Sequence, residues 1–517
     1  MIKGITAAVL IAVIAFASGL FVAGQNSNSV ATLTSSTGGA SYTGGFKADA
    51  DEPDALVEGS AEQMDNVKAV AGSWEGSPVV VVEPGELIQE AVKNAEPGTT
   101  IRIMPGRYSE TVYIDKDKIR LLGVIDKGAR AVLDGGGTLN DAILYSGNNI
   151  VVENLTITKY KGNAIMGQAG NNFEIRNNLI IDTGVYGIFP QLGKNGVIEH
   201  NVISGIEDAA IYVGMSDNVH VAYNDVFDSV AGIEVENSRH TIVEHNYVHN
   251  NTGGILAFIS PGLPIKTTYD VIIRHNFIVG NNTKNFGAPG STVGGIPAGT
   301  GIMVMAADDV VIEGNVISDN KSYGILSIDH HTASQLTNVT IDPETDPNSD
   351  SLQILDNVML NNGYDTIDSV KGLMLAGLKS GDPDIVVVGP TKDACIINRH
   401  RYVTLGVDDF KECEFTNTKG SETYLLPPVP ARVIAPGERG EIAYLGVCSG
   451  CHSYTGRLIG PPTQIIQALY MDNPKGLAAY IANPIKKRED YPEMPPQNYL
   501  DEETRMAVAE YMLGLKR

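Results

Sequence analysis

Basic side chains are scarce in this chain. Its 517 residues hold 37 Lys and Arg against 61 Asp and Glu, a net charge of −24 at pH 7. No basic stripe is present to neutralise phosphates, which excludes nucleic acid as a partner. Such acidity reads first as solubility. Aromatic residues make up 6% and there is one tryptophan. Cysteine is rarer still, at Cys395, Cys413, Cys448 and Cys451 alone. There is no second C-x-x-C, and no His-x3–5-His comes after the first, so a zinc ligand set is incomplete. No cysteine lies near the end of the apolar N-terminal stretch, which excludes a lipoprotein anchor.

The chain does contain Cys448-Ser449-Gly450-Cys451-His452. It reads C-x-x-C-H, a haem-attachment signature. Two thiols three residues apart can add across the vinyl groups of a haem, with the next histidine under the iron. A bare C-x-x-C could also be a redox dithiol. The surroundings decide between them. Gly460-Pro461-Pro462 is a rigid turn suited to offering a carbonyl to the other ring nitrogen of His452. Ile465 to Tyr470 and Leu477 to Ile481 read as short helices. Tyr491-Pro492-Glu493-Met494-Pro495-Pro496 sets a methionine on a stiff loop. Asp501 to Leu515 is an amphipathic helix with Met506, Val508, Ala509 and Met512 as its apolar face.

Over residues 436–517 this pattern resembles class I cytochrome c. The resemblance implies one covalent haem c on Cys448 and Cys451, with His452 and Met494 as axial ligands of the iron. Met506 and Met512 belong to the helix core, and Met471 lacks the proline context. Lys486-Lys487-Arg488 before the Met494 loop is either a docking patch for an acidic redox partner or a solvated loop.

Residues 1–24 fit an export signal: Lys3 supplies the charge and Ile5 to Ala23 is almost wholly apolar. The run is also just long enough to stay as a membrane anchor. Residues 25–75 are Ser/Thr/Gly-rich and then acidic, the composition of a tether. Beyond Pro84 a helix is expected with Leu87, Ile88, Ala91, Val92 and Ala95 on one face. A helix in this place can cover an exposed sheet edge and its apolar end.

A repeat begins after it. Asn154, Asn178, Asn201, Asn224, Asn246, Asn276, Asn315 and Asn357 recur at spacings of 24, 23, 23, 22, 30, 39 and 42. Between them come Gly187-Ile188, Ala210-Ile211, Gly232-Ile233, Gly254-Ile255, Gly301-Ile302 and Gly324-Ile325. A period of 22 to 24 is one coil of three short strands. Val151, Ile175, Ile198, Val221, Val243, Ile273 and Ile312 are expected to stack inward, and the asparagines at a turn. The longer spacings mark insertions near 260–268, 281–299 and 331–350. Val370 to Leu378 and Ile385 to Val388 read as final coils, and 395–422 as a cap pinned by a Cys395–Cys413 disulfide. Such a bridge contributes about 3 kcal/mol.

The repeat resembles the right-handed parallel β-helix superfamily, which includes pectate lyases, polygalacturonases, epimerases and NosD-type proteins. It also looks like exported bacterial β-helix proteins found beside, or fused to, c-type cytochromes. The Gly-His-Gly and Arg-Ile-Lys elements of polygalacturonases and the Asp-Pro-His-Asp signature of alginate epimerases are missing from this sequence. Asp208, His240, Asp329, His330 and His331 are the candidate acids and bases, with Asp329-His330-His331 opening the third insertion as the leading cluster. His200, His245 and His275 precede ladder asparagines, a column that could bind copper or zinc or simply favour planar polar side chains.

The resulting reading is a mainly β protein in five parts: 1–24 signal or anchor, 25–75 tether, 76–424 β-helix with both caps, 425–435 Pro-rich linker, and 436–517 a small all-α cytochrome domain. Its function is expected to be single-electron transfer outside the cytoplasm, in the periplasm or at the cell surface. The β-helix would then be a docking scaffold, facing a redox protein or a cell-wall polysaccharide. Two other functions stay open: a carbohydrate-active lyase, epimerase or oxidising enzyme with an appended haem, and a NosD-like copper-handling factor. Copper or calcium on the β-helix is a further cofactor expectation.

Overall fold

Each turn of the chain lays down three short strands, one in each of three parallel sheets of 12, 11 and 10 strands. The structure, a computed structural model, describes residues 70–288, 291–336, 341–414, 417–418, 429–430 and 435–516. The 1–24 segment, residues 25–69 of the tether and most of the 425–435 linker lie outside the described residues. Among the described residues no helix is long and apolar enough to cross a membrane.

The strand pattern follows from burial. Parallel strands are covered on both faces, so their inward positions are aliphatic. Ile175, Ile198, Val221, Val243, Ile273 and Ile312 stack in one column, each at most 1% exposed. Burying each contributes roughly 1.5–3 kcal/mol. The second sheet carries its own column, Ile188, Ile211, Ile233, Ile255, Ile302 and Ile325, in register. The glycines before them are steric: a Cβ on Gly254 or Gly301 would meet the next coil's carbonyl oxygen at 2.4 Å.

The asparagine ladder forms, and its bonds show why asparagine is needed. Asn224 Oδ1 accepts from both Asn201 N and Asn201 Nδ2 at 3.0 Å. Asn224 Nδ2 donates to Ile198 O, Ala222 O and Asn246 Oδ1, each at 3.0 Å. A buried amide with every position satisfied holds three coils at once. The 30-, 39- and 42-residue spacings leave the ladder intact, because the insertions at 259–268, 280–299 and 329–352 loop out between strands. A second ladder, Asn251, Asn281, Asn320 and Asn362, runs five residues further along each coil and is not among the sequence expectations.

The coil that opens with Val151–Glu153 corrects the expected register. Ile175 pairs with Val152, not Val151, and Arg176 with Glu153. Leu155 therefore holds the ladder position, and its amide donates to Asn178 Oδ1 at 3.1 Å. Asn154 falls in the turn slot before it, with φ 62°. The same slot holds Asn177, His200, Tyr223, His245 and His275, all with positive φ. Asn and His tolerate that conformation better than most side chains.

Helix α1 (Ile88–Asn94) closes the first coil, with Ile88 and Val92 buried and Glu110 accepting from the Ile88 and Gln89 amides at 2.9 Å. Leu87 does not share this face and is 55% exposed. Residues 70 and 71, placed by sequence in the tether, pack on the first sheet, where Ala71 N donates to Glu174. Helix α2 (His330–Leu336) lies in the third insertion. Val370 to Leu378 is not a final coil: Asp368–Ala376 is helix α3, while Ile385–Val388 is a strand. Cys395 and Cys413 form a disulfide with Cα atoms 4.9 Å apart. Thr418 then reaches back to Glu313 and Arg274 of the first sheet.

Residues 435–516 are helical. Helix α4 (Arg439–Ala443) runs through a wider turn, Tyr444–Cys448, into the C-x-x-C-H motif. Helices α5 (Thr463–Leu469), α6 (Pro474–Ala482) and α7 (Glu502–Gly514) complete it. Val508, Ala509 and Met512 of α7 are buried against Leu477 and Ile481 of α6.

Candidate functional site

The outward face of the second sheet changes character at one strand. Coil by coil, its outward positions are Met166, Phe189 and Tyr212 in one column and Leu256 and Met303 further on. Between Tyr212 and Leu256 stands Glu234. In the next column Glu236 stands between Gly214 and Phe258. Both glutamates belong to the strand Ala231–Glu236, two residues apart, so they share its outer face while Val235 points inward. Asp208, just before the adjacent strand Ala209–Gly214, joins them.

These three carboxyls are 7%, 2% and 7% exposed for Asp208, Glu234 and Glu236. Burial pushes Glu234 up to about 8 and Glu236 up to about 7. It raises Asp208 well above the usual carboxylate range, with Glu234 and Glu236 adding to the shift. Tyr212 donates its hydroxyl to Glu236. Glu234 Oε1 has no hydrogen-bond partner. Tyr186, Phe189 and Tyr212 pack ring on ring beside them, with centroids 4.3–4.8 Å apart.

The C-terminal helices sit over this face. Gln191 Nε2 donates to Leu445 O at 3.0 Å and lies 3.3 Å from Ser449 Oγ. Tyr499 bonds Gln168, and its ring lies 4.9 Å from that of Tyr113. Between the two parts is a small cleft, with room for about one water molecule. Asp208, Glu234 and Glu236 form its floor with Tyr186 and Phe258; Gly450, Leu458 and Ile459 face them, and Ser291, Thr292 and Val293 of the second insertion close a side.

The residues marked by sequence in the C-terminal part are brought together. His452 Nδ1 donates to Pro461 O at 2.8 Å, which leaves Nε2 with its lone pair. Gly460 sits so close that a Cβ there would meet His452 Cε1 at 2.3 Å. Burial lowers the imidazole's pKa, so it is neutral and able to ligate. Burial also pushes Cys448 and Cys451 up to about 12, with the Asp208, Asp141 and Glu236 carboxylates adding to the shift at Cys451. Thiols so protonated are poor redox dithiols. Met494 is half-buried against the helical core, whereas Met471 is 70% exposed and Met512 is buried within it. These residues fit a haem. The Lys486–Arg488 cations are already engaged, Lys487 with Tyr470 and Tyr480, Lys486 with Glu489, Arg488 with Asp490.

The three residues of the leading solenoid cluster face three different surroundings. Asp329 caps α2, accepting from Thr332 N at 2.9 Å and from its hydroxyl at 2.7 Å. His330 is fully buried with Nε2 bonded to Ile259 O at 2.7 Å, and His331 points to solvent. His240 is tied to Asp217 at 2.7 Å near the surface. The His200, Tyr223, His245 and His275 rings stack at 5.1–5.5 Å. Among the described residues no group of three or more His, Cys, Asp or Glu is arranged to hold a metal ion. Of the candidates, Asp208 lies in the cleft; sequence reasoning misses Glu234 and Glu236. Their signal is an E-V-E strand where other coils place apolar residues.

Residues 139–262 match the family model described as a right-handed β-helix region. No curated protein matches. Among solved structures the chain is similar to an alginate lyase from Paenibacillus sp. str. FPU-7, at 15% identity and TM-score 0.40, over 56% of this chain and 98% of that one. It is similar to the A-module of the mannuronan C-5 epimerase AlgE4 of Azotobacter vinelandii, at 13% identity and TM-score 0.34, over 66% and 88%. It is also similar to the pectate lyase Pel9A, at 13% identity and TM-score 0.34, over 69% and 87%. The family-model match agrees with the three-sheet parallel solenoid. The reading of the chain as a single-electron carrier with a passive scaffold is corrected: the solenoid's own outer face bears the buried carboxyl cluster Asp208, Glu234 and Glu236.

Proposed function

We propose that the protein is a carbohydrate-active β-helix enzyme whose acid–base groups are Glu234 and Glu236, with Asp208 beside them. The observation that carries the reading is the pair of outward-facing, buried glutamates lining the cleft. Acids held near neutrality by burial suit proton transfer at working pH. A solenoid face that served only for docking has no need of three clustered buried carboxyls, which are costly to desolvate.

The C-terminal helices would carry an appended haem c, held by Cys448, Cys451, His452 and Met494. Support comes from the Pro461 bond to His452 and from the tight approach of Gly460. A bound haem would supply one-electron redox chemistry. The protein would act outside the cytoplasm, as the composition of residues 1–24 suggests.

The test is saccharide turnover by the full-length protein on neutral and uronic acid polymers and oligomers, read by product chromatography. Wild-type turnover lost in both Glu234→Gln and Glu236→Gln supports the reading. Turnover unchanged in both removes it.

A further inference from the structure

Two glutamines that are neighbours on the solenoid hold the C-terminal segment at two different places. Gln168 ends the strand Asn163–Gln168 and pairs in register with Gln191 of the next coil. They are 5% and 0% exposed. Gln191 holds the turn of the C-x-x-C-H motif, through Leu445 O and Ser449 Oγ. Gln168 holds the segment that follows Met494, through Tyr499. We propose that Gln168 and Tyr499 are positioning residues for Met494, fixing its loop relative to the turn that carries His452, an inference that rests on the haem reading above.

The hydrogen bonds form a directed relay. Gln168 Nε2 donates to the Tyr499 hydroxyl oxygen, and that hydroxyl donates to Gln497 Oε1 at 2.5 Å. Gln497 Nε2 then donates to Pro495 O at 2.9 Å. Tyr499 and Gln497 each accept from one neighbour and donate to the next, so the bonds polarise one another. The relay ends on the residue that follows Met494.

The loop is stiff enough to pass this hold on. Pro495 and Pro496 fix their own φ, and Pro495 confines Met494 to extended backbone. Gln497 N donates to Ile481 O of α6 at 2.9 Å, which ties the same residue to the helical core. At the start of the loop the Arg457 guanidinium lies 4.2 Å from the ring centre of Tyr491. Pinning the Pro495 carbonyl therefore restrains the backbone of Met494.

Magnitudes separate the relay from the other solenoid contact of this loop. Lys161 Nζ lies 3.9 Å from Glu493 Oε2, with the two side chains 46% and 59% exposed. An ion pair so exposed contributes little. The relay starts from a buried amide, where a lost partner is not replaced by water and costs more. The Tyr499 ring also packs against Tyr113 at 4.9 Å, so Tyr499→Phe removes the hydroxyl and leaves that packing. A ligand side chain held in place beforehand loses less freedom when it ligates. Without the relay, Met494 should compete less well against an external ligand for the iron.

The experiment uses the full-length protein, exported from a host that attaches haem c. Wild type is compared with Gln168→Ala, Tyr499→Phe, Lys161→Ala and, as the reference for a lost ligand, Met494→Ala. Covalent haem is measured as the pyridine haemochrome, methionine ligation by the long-wavelength band of the ferric form, and competition by titration with imidazole. Melting temperatures check the fold. The expected result is covalent haem in every variant, with the band weakened and imidazole affinity raised about 10-fold in Gln168→Ala and Tyr499→Phe. Lys161→Ala should match wild type. An unchanged band and imidazole affinity in both relay variants overturns the inference and leaves the haem reading standing. An equal change in Lys161→Ala assigns the hold to the ion pair and overturns the relay. Covalent haem without the band in wild type overturns Met494 as a ligand and the inference with it. No covalent haem in wild type overturns the haem reading and the inference together.

Discussion

Tyr212 donates its hydroxyl to Glu236 across 24 residues of sequence and a single step of the solenoid. The two share a sheet face because consecutive coils stack in register, with Gly214 opposite Glu236 and Tyr212 opposite Glu234. The bond distinguishes two glutamates that are otherwise alike in strand, face and burial.

Removing that bond should change the pH profile before it changes the fold. In Tyr212→Phe the charged form of Glu236 loses a donor, so its pKa rises above the present value of about 7. The acid limb of the pH–rate profile should move to higher pH, with a loss of roughly 10-fold near neutrality. A limb that stays in place would mean that Glu236 is not one of the acid–base groups.

Stability should carry the signature of the buried acids. The unfolded chain ionises Glu234 near its ordinary value of 4.5, whereas the folded chain holds the proton to about 8. A raised carboxyl leaves stability intact below the unfolded value and loses it as pH climbs through the window from 4.5 to 8. Wild-type stability should therefore fall over that range, by up to a few kcal/mol at ~1.4 kcal/mol per pH unit. Glu234→Gln should melt higher than wild type at about pH 8 and gain much less at about pH 5. A gain of equal size at both values would contradict a buried, protonated Glu234.

Asn246 tests the ladder. Its amide donates to Val221 O, Glu244 O and Asn276 Oδ1, and its Oδ1 serves Asn224. Asn246→Ala leaves several buried groups unsatisfied at once, at about 1–3 kcal/mol each before relaxation. Denaturant unfolding should show a loss of at least about 3 kcal/mol. Asn250→Ala, outside the ladder, should cost far less.

Gln191 tests the placement of the C-terminal helices. Its amide is fully buried and bonds Leu445 O. Gln191→Ala should loosen these helices from the sheet and separate their calorimetric unfolding from that of the solenoid. A single unshifted transition would show that Tyr499 and the apolar contacts suffice.

Much of the solenoid is legible because its determinants repeat. Each asparagine and each Gly-Ile pair states the same local demand, and the coil length comes from their spacing. The coil at Val151 reads one residue out of register because Asn154 imitates the ladder residue while occupying the turn slot. Val370 to Leu378 reads as a strand because a short apolar run has no period that separates strand from helix. The Pro461 bond to His452 is visible in the sequence, since a local turn suffices to make it.

The candidate site is the least legible part. Asp329-His330-His331 stands out as a dense polar run, yet one residue caps a helix, the next is bonded inside and the third faces water. Glu234 and Glu236 are separated by a valine and show no motif.

By itself, then, the sequence determined the coil period, the inward columns, the asparagine ladder and the local geometry around His452, because each rests on residues that are near in sequence or repeated from coil to coil. Only the tertiary structure decided the cleft. Stacking brought Asp208 beside a strand one coil away, the second insertion folded across, and the C-terminal helices came to rest on that face through Gln168, Gln191 and Tyr499. Burial by segments hundreds of residues apart is what raises these carboxyls, and no local pattern encodes it.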